Sequence, residues 1–189
     1  MGQDLSTTSY AVLGLLIFDE PDSPGLTGYE VKQRADKTLR FYWVAPAMSQ
    51  VYSELARLAD LGLVTVTFAG PAGRRDRRYR ISAEGRRRLA HWQATSRPEF
   101  PVLKHPIALR LLMGSLSAPE QLRTMLDDYV VELGQRRREL QAVRDALTDR
   151  PAFAYPAMVA DWGLAYYDAE ETIVAELTAR LGVGTPSGP

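Results

Sequence analysis

Residues 46–82 read PAMSQVYSELARLADLGLVTVTFAGPAGRRDRRYRIS. Met48, Val51, Leu55 and Leu58 fall within roughly 80° of one another at helical periodicity, so this stretch predicts a helix with one core-facing stripe. Ser49, Gln50, Ser53 and Arg57 gather on the opposite side. Pro46 suits the first helical turn, where a missing N–H costs nothing, and Gly62 suits the left-handed residue that ends a helix. Beyond it, alternation puts Val64, Val66 and Phe68 on one strand face and Thr65 and Thr67 on the other. Gly70, Pro71, Ala72 and Gly73 are turn chemistry. The return strand sets Tyr79 and Ile81 inward and Arg78 and Arg80 outward. A helix followed by a β-hairpin with an arginine-rich arm is the layout of a recognition helix and its wing.

Working outward, Ser6, Thr7 and Thr8 offer N-caps for a first helix with Val12, Leu13, Leu16 and Ile17 on one face. Thr27 and Glu30 predict a capping box for a second helix running to about Leu39. Ser82 caps a fourth helix from about Ala83 to Gln93. After a Pro-rich stretch, Pro106 opens a short helix, and Ser117 with Glu120 predicts a capping box for a long one from about Ala118 to Thr148. Its residues Leu122, Leu126, Tyr129, Leu133, Arg136, Leu140, Val143 and Leu147 make a heptad seam sustained over about four heptads. A last helix carries the stripe Met158, Trp162, Tyr166, Ala169, Ile173, Leu177 and Leu181. The resulting fold class is mainly α with a small β-hairpin: a winged helix-turn-helix over residues 1–94, a linker over 95–104, a C-terminal α-helical dimerisation and effector domain over 105–182, and a flexible tail over 183–189.

A formal charge of zero over 189 residues conceals an asymmetry, because eight arginines and only two acids lie between Arg74 and Arg88. One local basic surface on an otherwise acidic chain predicts a polyanion partner at one place. The absence of cysteine excludes disulfides and thiolate chemistry. With no apolar run of membrane-spanning length and no leader-like start, the expectation is a cytoplasmic protein without membrane contact. His91 and His105 have no metal-ligand spacing, there is no phosphate-binding glycine loop, and the adjacent pairs Asp127 with Asp128 and Glu170 with Glu171 read as solvated helix faces. The expectation is therefore no enzyme, no metal and no cofactor.

Taken together, TSYAVLGLL (8–16), GYEVK (28–32), FYW (41–43), QVYSELARLADLGLV (50–64), RRYRIS (77–82) with AEG (83–85), and WGLAYYDAE (162–170) resemble the PadR family of bacterial transcriptional regulators. The resemblance implies a homodimeric repressor of a palindromic operator, released by a small aromatic or hydrophobic effector. On this view Ser49, Gln50 and Ser53 face base edges, and Arg57, Arg74, Arg75, Arg77 and Arg78 meet phosphates or a minor groove. Tyr10, Tyr29 and Tyr52 resemble the family's tyrosines at the starts of helices one and two and on helix three, whose hydroxyls can reach phosphates. Leu122, Leu126, Tyr129, Leu133, Leu140, Val143, Leu147, Ile173 and Leu177 serve dimerisation, and Trp92, Met158, Trp162 and Tyr166 are candidates for the effector. Two alternatives stay open: a winged-helix module that docks on a protein, and a constitutive regulator without effector.

Overall fold

The computed structural model describes residues 5–19, 22–69, 76–102 and 104–182. It divides into two compact units, residues 1–99 and 100–189.

In the N-terminal unit, α1 (Thr7–Leu15) is capped by Ser6, whose hydroxyl accepts from the Ser9 N–H. The Thr27–Glu30 capping box is fully formed at the start of α2 (Gly28–Thr38). Helix α3 (Met48–Asp60) starts later than Pro46. Gln50 Oε1 accepts from the Ala47 N–H at 2.9 Å, making Ala47 the N-cap and leaving Pro46 outside the first turn, correcting the sequence reading. Gly62 ends α3 at φ 68°. Strand β1 (Leu26–Thr27) pairs with β3 (Asp76–Ile81), which pairs antiparallel with β2 (Val64–Ala69). The register sets Val64 opposite Ile81, Val66 opposite Tyr79 and Phe68 opposite Arg77. Helix α4 (Ala83–Thr95), capped by Ser82, closes the unit. A Cβ on its Gly85 would stand 2.1 Å from the Leu63 carbonyl oxygen, so only glycine lets α4 lie this close to the start of β2. The core holds Val12, Leu13 and Leu16 of the first helix and its trailing turn, Val31 of α2, and Val51, Leu55 and Leu58 of α3, all withdrawn from solvent.

The C-terminal unit is helical: α5 (Pro106–Leu112), α6 (Pro119–Ala146) and α7 (Ala154–Gly182). The cap of α6 is Ala118, with Gln121 Oε1 accepting its N–H at 3.1 Å, and not the expected Ser117 with Glu120. Pro119 fixes the first helical position, so the third falls on Gln121. Arg137 Nε to Asp168 at 2.5 Å and Arg144 Nε to Asp161 at 2.6 Å tie α6 to α7, the partner number falling as the first rises, which makes the pair antiparallel.

Leu122, Leu126, Leu133 and Leu140 are buried within the single chain. The seam assigned to dimerisation is therefore largely covered by α7 of the same molecule. Arg136, at the break in the seam, is exposed near Glu132. The face of α7 that meets α6 is built from Ala160, Glu170 and Val174, all buried. Met158, Trp162, Tyr166 and Ile173 of the expected stripe lie on another face and are 64%, 70%, 44% and 48% exposed.

Glu170, expected on a solvated face, is among the buried charged residues. Its Oε2 is 2.9 Å from His105 Nε2 and accepts from the Tyr129 hydroxyl at 3.0 Å. Nδ1 of His105 accepts from the Ala108 N–H at 3.3 Å, capping α5. With Nδ1 as acceptor, the ring proton sits on Nε2 and points at the carboxylate. Burial and the adjacent Glu170 push the Tyr129 hydroxyl far above the ordinary tyrosine value, so it remains a donor. A buried carboxylate is tolerable because these donors replace its water shell. Tyr129 thus belongs to a polar cluster inside the chain and departs from its assignment to a dimer seam.

Leu140→Ala is expected to cost about 2–5 kcal/mol in urea unfolding, as for a fully buried leucine, whereas Arg136→Ala stays within about 0.5 kcal/mol. Equal effects would mean that the seam is not packed within one chain.

Candidate nucleic-acid interface

Burial of Val51, Leu55 and Leu58 turns the other side of α3 outward, so Ser49, Gln50, Tyr52 and Ser53 are exposed there. Two of these polar groups are already engaged locally. The Ser53 hydroxyl donates to the Ser49 carbonyl at 2.9 Å, and Gln50 Oε1 holds the cap. Bidentate pairing of glutamine with adenine uses both amide atoms, so Gln50 must give up the cap to read a base that way.

The Tyr52 ring lies across the start of α2. A Cβ on Gly28 would stand 2.3 Å from Tyr52 Cε1, so glycine is needed for this approach. Tyr29, next to it in α2, is 56% exposed, and its hydroxyl accepts from Gln33 Nε2 at 3.1 Å. Exposed α3 side chains and the N-terminal turn of α2 thereby share one surface.

Tyr10 is not part of it. Only 6% exposed, it stacks on Trp92 with centroids 4.5 Å apart and planes 14° off parallel. Its ring packs α1 against α4. Trp92, assigned to an effector, is the other half of the stack. The pair borders a cleft of about 470 Å³ that also involves Leu5, Arg88 and His91. Met158, Trp162 and Tyr166 belong to the C-terminal unit.

Arg57 turns inward as well. Its Nη1 donates to Ser9 Oγ at 2.9 Å, and Ser9, fully buried, donates to Glu54 Oε2 at 2.6 Å. The arrangement bolts α3 to α1 through Arg57 Nη1. A serine in an apolar first helix was the available signal, since a buried hydroxyl needs partners; the sequence reading gave Ser9 and Glu54 no role.

In the wing, Arg74 and Arg75 lie outside the described residues. Arg77 is exposed, with its guanidinium 5.3 Å from the Tyr79 ring centroid. Arg78, expected to point outward, is tied down: Nη1 donates to the Gly25 carbonyl at 2.7 Å and to Glu30 Oε2 at 3.3 Å. Arg80 Nη1 likewise donates to the Ser23 carbonyl at 2.6 Å. Among the described residues no group of three potential metal ligands occurs, and no helix is long and apolar enough to cross a membrane.

No family model matches the sequence, and no curated protein does either. Solved structures match closely in fold. Bacillus subtilis PadR in complex with operator DNA superposes with a TM-score of 0.79 at 21% identity, covering 93% of this chain and 99% of that one. The PadR-like transcriptional regulator BC1756 from Bacillus cereus gives 0.75 at 19% identity, with 93% and 98% covered. Bacillus subtilis PadR in complex with p-coumaric acid gives 0.71 at 21%, with 92% and 98% covered. The chain thus has the winged-helix fold with C-terminal helices of these regulators.

The Glu30 contacts carry a pH dependence. Burial raises its carboxyl, but the Thr27 backbone and hydroxyl donors and the Arg78 and Arg34 charges outweigh this and hold it below its ordinary value of 4.5. A depressed folded-state pKa contributes stability that is present above the unfolded value and lost as pH falls through the folded one. Glu30→Gln keeps the capping acceptor, so unfolding curves of variant and wild type are expected to differ above pH 4.5 and converge in more acidic buffer. Parallel acid limbs would contradict the assignment.

Proposed function

We propose that this chain is a PadR-like DNA-binding transcriptional regulator that acts as a homodimer. The observation that carries the reading is the exposed side of α3, with Ser49, Gln50, Tyr52 and Ser53, in the same unit as an arginine-bearing wing, within a fold that matches an operator-bound regulator over 93% of the chain. Helix α3 enters the major groove, Tyr29 and Tyr52 meet the flanking phosphates, and the wing adds affinity through charge. Repression is the output that such occupancy of an operator produces.

The dimer reading is supported by α7. Tyr155, Met158, Trp162, Tyr166 and Ile173 form an exposed apolar face, of a kind that soluble monomers seldom leave to water. A two-fold pairing through it buries those side chains and sets two α3 helices for half-sites about 34–36 Å apart. An aromatic or hydrophobic effector fits the same face, where Trp162 and Tyr166 offer stacking surfaces; p-coumaric acid is the ligand in one related structure. Filling that interface changes the spacing of the two winged helices and so releases DNA.

Selection from a random duplex library is expected to enrich a palindrome, with log K falling against log salt by about 0.9 per neutralised phosphate. Recovery of no DNA sequence, with binding instead to a protein, would favour a docking module. Trp162→Glu is expected to halve the mass measured by light scattering and to abolish palindrome binding while each winged helix stays folded; an unchanged mass would refute dimerisation through α7. A panel of aromatic acids and drugs that leaves both melting temperature and operator affinity unmoved would make the regulator constitutive.

A further inference from the structure

The two faces of the wing are occupied unequally. On one, Thr67 Oγ1 donates to the Pro24 carbonyl at 3.2 Å, Arg78 Nη1 to the Gly25 carbonyl at 2.7 Å and Arg80 Nη1 to the Ser23 carbonyl at 2.6 Å. These side chains alternate along β2 and β3 with those of the other face, and the carbonyls of segment 23–25 accept from all three. The other face runs from Val64 with Ile81 through Val66 with Tyr79 to Phe68 with Arg77. At its base Val64 and Tyr79 are buried in the core. One ladder step further the same face has left the core, and Phe68 is 63% exposed directly across from the exposed Arg77. An exposed apolar residue and an exposed arginine are therefore ladder partners on this face, one step before the last described pair, Ala69 with Asp76.

We infer that Phe68 and Arg77 together form the wing's contact with DNA, Phe68 packing on deoxyribose and Arg77 on the adjoining phosphate, while Arg78 and Arg80 are positioning residues that hold the wing to segment 23–25. The inference rests on the DNA-binding reading above and assigns its chemistry to particular side chains. The sugar–phosphate wall of a duplex alternates an apolar ring edge with a charge, which is the pattern this ladder pair presents. Arg78 and Arg80 each commit Nη1 to a carbonyl of segment 23–25, and turning either toward DNA gives up that hydrogen bond. Arg77 reaches a phosphate without loss of a hydrogen bond to its own fold, since its described contact is with the Tyr79 ring.

The two contacts have different signatures in salt. Using the full chain and a fluorescein-labelled random-sequence duplex, Arg77→Ala is expected to lower the slope of log K against log salt by about 0.9 without changing the melting temperature. Phe68→Ala is expected to weaken binding about tenfold at every salt concentration and to leave the slope intact, because the lost term is apolar burial. Lysine restores the slope at position 77, where a point charge suffices. At position 78, Arg78→Ala lowers the melting temperature, because the Gly25 carbonyl and the Glu30 carboxylate lose the Nη1 donor they share. A slope indifferent to Arg77→Ala, or an Arg78→Ala chain that loses slope at unchanged melting temperature, overturns the inference while wild-type binding keeps the DNA reading intact. A wild-type chain that binds no duplex sinks both.

Discussion

Withdrawal of Val51, Leu55 and Leu58 from solvent fixes the rotation of α3 about its own axis, and the remaining geometry of the N-terminal unit depends on it. Three large side chains buried along one stripe are worth several kcal/mol together, far more than any single polar contact on the opposite side. That asymmetry decides which residues can meet a partner. It also explains where the polar locks sit: Arg57, Ser9 and Glu54 lie at the margin of the stripe, where a hydrogen-bonded charge prevents α3 from sliding on α1. Such groups contribute less to net stability than to the uniqueness of the arrangement.

The same asymmetry recurs in the C-terminal unit with the opposite outcome. Helix α6 spends its apolar seam inside the chain, on α7, and the ion pairs Arg137–Asp168 and Arg144–Asp161 flank it. Helix α7 carries a second apolar face after the first is satisfied. A helix apolar on two sides fits neither a solvated surface helix nor an isolated pair. The buried His105–Tyr129–Glu170 cluster gives the inner contact a direction that leucines alone do not, because each donor meets the carboxylate in only one register of α6 on α7.

Most features set by neighbours in sequence were legible in the sequence itself, although the starts of α3 and α6 fall beside the expected caps. Ser6, Ser82, the Thr27–Glu30 box and Gly62 act over three or four residues, and the α3 stripe repeats within one helix. Features set by distant neighbours were not. Tyr10 became a core residue because Trp92, far along the chain, supplies a ring to stack on. Glu170 reads as a solvated acid beside Glu171 until α5 and α6 bring His105 and Tyr129 to it. Alternation set Arg78 and Arg80 on one face of β3, yet Arg77 and Arg78 were assigned to DNA together, because alternation cannot say which face segment 23–25 will cover. That choice belongs to the pairing of β1 with β3.

On the proposed DNA-binding reading, the wing and α3 divide the work of recognition unequally. Ser49 and Ser53 hydroxyls are weak discriminators among bases, and Gln50 trades its cap against a bidentate reading. Loss of such a cap costs on the order of 1 kcal/mol, comparable to the lower end of what one good base contact returns. A single copy of this surface gains little by distinguishing sequences, whereas its arginine contacts hold equally well on any duplex. On the dimeric reading proposed above, discrimination comes from requiring two modest readings at one fixed separation. On that reading each mismatch in either half weakens the whole complex, and the apolar outer face of α7 would be a determinant of sequence specificity although it touches no base.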